Sequence, residues 1–167
     1  MKVMGIDPGT AITGFGVIQG AAGRLRLMDY GCVRTESGEA LTRRLKDIYL
    51  SIGHLIDRHQ PELIVVEQLF FNRNVRSAFA VGQARGVVLL AAANRDIPVV
   101  EFTPLQVKQA VTGYGRANKQ QVQAMVGTLL ALRELPKPDD AADALAVAIC
   151  GYHSHGLEMK LRTGCES

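Results

Sequence analysis

KVMGIDPGTAITGFGVIQGAAGRLRLMDYGCV, residues 2–33, alternates apolar residues with small or polar ones in three runs. PGT at 8–10 and the Gly-rich segment after Gln19 separate the runs with turn-forming residues. This spacing predicts an antiparallel meander of three strands. Downstream the period becomes helical, with Leu41, Leu45, Ile48, Ile52, Leu55 and Ile56 sharing a face within 39–59 and Pro61 stopping the helix. ELIVVEQ, 62–68, is almost wholly apolar, as expected of a central strand covered on both faces. A helix over about 75–95 precedes a short strand in PVVEF, 98–102. Thr103 and Pro104 read as the N-cap and first position of a helix to about 112, and a further helix is expected over 119–133. The last helix opens in LPKPDDAADALAVAICG, 135–151, beyond which a loose tail is predicted. Three meandering strands followed by alternating helices and strands make an α/β domain, a mixed five-stranded sheet flanked by helices. The expected boundaries are a single domain over 1–152 and a disordered tail over 153–167.

Composition narrows the classes. A chain of 167 residues is long enough for one core without staples, and 47% hydrophobic with 21% charged residues is the balance of a soluble globular domain. The central apolar run GVVLLAAAN is bounded by Arg85 and Arg95 and is too short to span a bilayer. The N-terminus reads straight into a strand, so no signal peptide is expected. Cys32, Cys150 and Cys165 lack paired spacing, which suits free thiols in a reducing cytoplasm rather than disulfides or zinc. Net charge is +3, from 19 Lys and Arg against 16 Asp and Glu. With four candidate site acids set aside, 12 acids face 19 bases, a balance of +7 that suits an acidic partner.

Those four acids stand where elements end. Asp7 closes the first strand, and Glu67 puts a charge at the end of the otherwise apolar LIVVE. In open α/β sheets, sites gather beyond the carboxyl ends of strands. Asp140 and Asp143 are three apart on one face of a helix whose apolar continuation packs it on the sheet. Asp139 is one residue off that face and reads as a helix cap. Clustered carboxylates repel one another, and a divalent cation removes the conflict. An all-oxygen ligand set suits Mg²⁺ or Mn²⁺, and two such ions at one site can drive phosphodiester hydrolysis. Taken singly, each acid has an ordinary structural reading: a turn residue, a partner for an arginine, a helix cap.

Two segments have the composition of a nucleic-acid surface. Phe70 and Phe71 lie among Arg73, Arg76 and two asparagines, in a chain with nine aromatics. An aromatic among bases can stack on an unpaired nucleobase. VKQAVTGYGRANKQQ sets Lys108, Arg116 and Lys119 around a Gly-flanked loop that leads into a helix, a suitable cradle for phosphate oxygens. No Walker sequence is present. Ala78, Gly82 and Gly86 recur at four-residue spacing, which implies close packing either within the chain or against a second copy.

MGIDPGTAITGFGVI, LIVVEQLFFNRN, QVKQAVTGYGRANKQQVQAMV and DAADALAVA resemble, in order, the motifs of the RuvC family of Holliday-junction resolvases. The resemblance covers residues 1 to about 152. It implies a ribonuclease-H-like fold and a homodimer that nicks two strands of a four-way DNA junction symmetrically with Mg²⁺, two ions per site, which Mn²⁺ can replace. The family's acidic tetrad falls on Asp7, Glu67, Asp140 and Asp143; its third position is an acid in some members and His in others. The junction-probing aromatic falls on Phe70, with Phe71 second, and basic DNA-contacting positions fall on Lys108 and Lys119. The resemblance tips the small-residue stripe at 78–86 toward a dimer contact. It also implies cytoplasmic recombinational repair beside a branch-migration motor complex, with a preference for certain cleavage sequences. Three other readings compete: a nuclease of the same fold acting on other branched DNA or RNA hybrids, a non-catalytic junction-binding module, and an ATPase, since GIDPGT resembles the phosphate hairpin of actin-like proteins. The last needs a second domain for which 167 residues leave no room.

Overall fold

The computed structural model describes the backbone of residues 1–68 and 75–163, and the side chains of 1–68 and 78–156. The meander forms as its alternation predicts: β1 (Lys2–Asp7), β2 (Ile12–Ala21) and β3 (Arg24–Arg34) pair antiparallel in sequence order. After α1 (Leu41–His59), β4 (Leu63–Glu67) returns parallel to β1, and after α2 (Val75–Ala93), β5 (Val99–Phe102) pairs parallel to β4. The sheet order is β3-β2-β1-β4-β5, so β1 and β4 are interior. All four residues of β4 before Glu67 are buried, as the unbroken apolar run requires.

The chain ends with three helices: α3 (Pro104–Thr112), α4 (Lys119–Leu129) and α5 (Asp139–Thr163). Thr103 caps α3 in a reciprocal box with Gln106, and Asn118 caps α4 in the same way with Gln121. The helix α5 does not stop at Gly151, where a loose tail is expected, but continues to Thr163. Gly151 is buried with its Cα side against Val65, so tertiary packing carries the helix through a residue that is weak in isolation. No described helix is long and apolar enough to cross a membrane.

Period-two alternation divides the sheet between two cores. Met4, Ile6, Val17, Ile64 and Val66 point to α1 and α2, where Ile48, Ile52 and Val88 meet them. Val3, Ile18, Leu63 and Val65 point to the other layer and meet Val107, Val122, Val126, Leu145 and Ile149 of α3, α4 and α5. The α5 backbone lies directly on β1 and β2 because both strands present glycines there. A Cβ at Gly5 would collide with the Ala144 carbonyl and with the Ala148 backbone nitrogen, and one at Gly14 would strike the Asp140 carbonyl. Opposite Gly16, Leu145 Cδ2 would lie 2.7 Å from such an atom.

Gly5→Ala should therefore lower unfolding free energy by at least about 1–3 kcal/mol, because the obstructing atoms are backbone and cannot rotate away. Gly156 lies in α5 with nothing near its Cβ position, and Gly156→Ala should stabilise by ~0.5–1 kcal/mol. Urea titration of the two variants against the parent checks both signs.

Candidate active site

The carboxyl ends of the two interior strands and the start of α5 converge. Asp7 is the last residue of β1, and its antiparallel partner is Gly14. Ile6 pairs with Val66 in the parallel ladder, so Asp7 and Glu67 follow as neighbours at adjacent strand ends. Both continue the alternation of Val3 and Gly5, or Leu63 and Val65, and so emerge on the α5 side of the sheet. Asp140, whose carbonyl lies over Gly14, and Asp143, one turn on, open α5 above them.

Lys119, the first residue of α4, enters the cluster from the other side. Its ammonium lies 3.0 Å from Asp143 and 3.3 Å from Asp139. Gln123, one turn further along α4, donates to Asp139 Oδ1 at 3.1 Å. Asp139 is thus turned outward toward α4, and the Gln123 and Lys119 contacts hold its carboxyl below the usual carboxylate range. Its carboxylate thus reaches across to α4 instead of capping its own helix as its sequence position suggested, while the one-residue offset from the face shared by Asp140 and Asp143 holds.

Asp7, Glu67 and Asp143 hold their protons more tightly than free carboxyls do. Burial, then the charges of Glu67, Asp143 and Asp140, push the Asp7 carboxyl up to about 7, with Lys119 opposing. Burial and Asp143 push Glu67 up to about 6 against the pull of Lys108 and Lys119. Asp143 is also raised, chiefly by burial, although its hydrogen bond to Lys119 works the other way. Glu67 and Asp143 face Lys108 and Lys119 across a cavity of about 220 Å³ floored by Val107 and Val122.

The donor set is entirely hard oxygen, as Mg²⁺ or Mn²⁺ prefers, and a divalent charge would relieve the repulsion that raises Asp7 and Glu67. Among the described residues, no three acids, histidines or cysteines are drawn tightly enough to grip an ion as they stand. By donor chemistry, Asp7, Glu67, Asp140 and Asp143 are the residues that would hold such an ion.

Of the basic positions read from sequence, Lys108 and Lys119 line the cavity, and Arg116 is exposed in the loop before α4. Phe70, Phe71 and Arg73 lie outside the described residues, as does the side chain of Arg76 on α2. The sequence reading missed two things. One is Lys119 as a counter-charge to the acids, for which its position at the start of a helix is no signal. The other is Cys32, opposite Gly14 on β3, whose thiol is pushed up by burial and then by Asp140.

A mixed sheet in this strand order is a ribonuclease-H-like fold, and carboxylates stand at the ends of β1 and β4 and at the head of the last helix. The family model for crossover junction endodeoxyribonuclease RuvC matches residues 3–151. A crossover junction endodeoxyribonuclease RuvC from Desulforamulus reducens is 61% identical over 150 residues, covering 90% of this chain and 92% of that protein. Its counterpart from Moorella thermoacetica is 60% identical and covers 90% of each. The structure of Thermus thermophilus RuvC in complex with a Holliday junction substrate superposes with a TM-score of 0.86 at 40% identity, over 90% of this chain and 92% of that one. The yeast mitochondrial Holliday junction resolvase shares the fold, with a TM-score of 0.69 at 13% identity over 98% of this chain and 84% of that one. The chain belongs to the RuvC family of crossover junction endodeoxyribonucleases, which are metal-dependent nucleases.

The raised acids give the metal-free protein a pH signature. Asp7 ionises near its ordinary 3.8 when unfolded but only at about 7 when folded. Between these values the folded chain holds a proton that the unfolded chain has released, so this contribution to stability is full below 3.8 and lost as pH rises through 7. In EDTA the Tm should fall across that window, and Asp7→Asn should flatten the fall. Added Mg²⁺ should raise the Tm more at pH 8 than at pH 5.5. Calorimetry across the pH range, with and without the ion, makes the test.

Proposed function

We propose that this chain resolves four-way DNA junctions by symmetric hydrolysis of two phosphodiester bonds, with Asp7, Glu67, Asp140 and Asp143 holding Mg²⁺. The observation that carries the reading is the convergence of those four carboxylates at adjacent strand ends and one helix start, beside two lysines. The kinship to the junction-bound T. thermophilus structure supports the substrate. When bound, a pair of divalent ions activates the attacking water and stabilises the leaving oxygen. Water adds to the scissile phosphorus as the bond to the 3′-oxygen breaks, and the products are a 3′-hydroxyl and a 5′-phosphate. Asp7, which feels the charge of all three other acids, would be a principal ligand of the bound metal. Mn²⁺, of the same ligand preference, should substitute.

Lys108 and Lys119 hold the phosphates that flank the scissile one and keep the strand over the acids. Arg116 extends this surface along the loop, and Phe70, Phe71, Arg73 and Arg76 contact the junction from the segment after β4. A homodimer brings two such sites to symmetry-related strands. The outer face of α2 supports that assembly: Phe79 is 68% and Leu90 54% exposed, and Gly86 opens to empty space within the single chain. Action in the cytoplasm beside a branch-migration motor completes the proposal.

End-labelled cleavage of a synthetic four-way junction, alongside linear duplex of the same sequences, tests it. Paired nicks should appear in the junction alone and only with Mg²⁺. Equal cutting of both substrates would mean a nuclease of other specificity, and tight binding without nicks a binding module. Asp7→Asn should abolish cleavage and leave junction binding intact. Lys108→Ala should weaken binding and make the slope of log K against log salt shallower by ~0.9, the counterion release of one phosphate contact. Titrating a labelled junction with each variant at several salt concentrations provides the reading.

A further inference from the structure

The turn that carries Asp7 is tied down from both sides. Inside, fully buried Thr13 donates to the Gly9 carbonyl at 2.7 Å. Outside, Thr35, which follows β3, donates its backbone N–H to the Ala11 carbonyl at 3.1 Å and its hydroxyl to the Thr10 carbonyl. The hydroxyl of Thr35 in turn accepts from Arg44 Nε at 2.8 Å. A chain of hydrogen bonds therefore runs from a guanidinium on α1, through Thr35, to the backbone three residues beyond Asp7.

Arg44 is half-buried, and among the described residues its terminal nitrogens meet no hydrogen-bond or ion-pair partner. Neighbouring Arg43 is engaged instead, 3.6 Å from Asp47. The acids Glu36 and Glu39 lie exposed in the loop before α1 and have no described ion pair with Arg44. A planar guanidinium anchored through one N–H keeps a free fork of donors suited to a phosphate. Its place matters too. Arg44 belongs to the α1 layer at the β3 side of the turn, whereas Lys108 and Lys119 belong to the α3–α5 layer on the other side of the sheet. The carboxyl edge of the sheet, with Asp7, lies between them.

We propose that Arg44 contacts a backbone phosphate of the DNA on the flank of Asp7 opposite Lys108 and Lys119, and that Thr35 is a positioning residue through which this contact steadies the turn bearing Asp7. The proposal rests on the junction-resolving function above. Occupation of the outer fork by phosphate orders the guanidinium, which fixes Thr35, which fixes the Thr10 carbonyl and so the direction in which Asp7 presents its oxygens. A strand gripped on both flanks of the acids is held in register, and the metal-binding edge is firmest when DNA is present.

Two readouts separate the parts. Junction affinity across a range of salt, measured with Ca²⁺ in place of Mg²⁺, reports the phosphate contact. Arg44→Ala should make the log–log slope shallower by ~0.9, and Arg44→Lys should restore it. The Mg²⁺ concentration for half-maximal cleavage reports the positioning. Thr35→Val should keep the parent slope but need ~10-fold more Mg²⁺ or beyond, as loss of an outer-shell support does, and Thr35→Ser should recover the parent requirement. An unchanged slope in Arg44→Ala would overturn the phosphate contact. A parental Mg²⁺ requirement in Thr35→Val, or a Thr35→Ser as impaired as the valine, would overturn the positioning role. A parent chain that binds the junction but does not cut it would sink the catalytic reading while leaving the slope test valid.

Discussion

The close approach of α5 to β1 and β2 is the constraint on which the rest depends. Gly5 and Gly14 have no side chain because the Ala144 and Asp140 carbonyls occupy that space. With the helix seated this low, its first turn hangs over the ends of the strands, and Asp140 and Asp143 come beside Asp7 and Glu67. A bulkier strand would lift α5 and part the acids. The same contact seats Leu145 and Ile149 in the core against Val3 and Val65, so the placement of the acids and folding share one interface. Each such buried aliphatic side chain contributes about 1.5–3 kcal/mol.

That stabilisation is set against an electrostatic conflict. Three partly buried carboxylates hold their protons more tightly than free ones do, and burial is the leading cause for each. The two cores are where the fold recovers what the site costs: Met4, Ile6, Val65 and Val66, immediately before the acids on the same strands, are fully buried. Lys119 eases the conflict without ending it, since one ammonium is shared between Asp143 and the outlying Asp139. Raised proton affinity in a cluster of acids is a mark of a functional site.

Much of this was legible in the sequence, for identifiable reasons. Strict alternation marks β1 to β3 because one periodicity governs a sheet, and the unbroken apolar run marks β4 because it is covered on both faces. Thr103 and Pro104 announced α3 because capping is a local affair of a few residues. The acids were legible as ends of elements: a charge that closes an apolar strand, and two carboxylates three apart on one helical face. The continuation of α5 past Gly151 was not legible, since the contact of that glycine with Val65 on β4 is made only in the folded chain.

Residue order by itself determined which elements form, that the sheet is mixed, and that four particular carboxylates end up at the mouths of those elements. These follow from periodicity, turn chemistry and the covalent spacing of neighbours. Tertiary structure alone decided which groups face those acids. Lys119 reaches Asp143 from 24 positions away only because α4 packs against α5, and Arg44 reaches the Asp7 turn only through Thr35 at the far end of another strand. The raised proton affinity of Asp7 is likewise a property of its burial and its three acidic neighbours, none of which is near it in the chain. Charges act through space, and only the folded chain sets those distances.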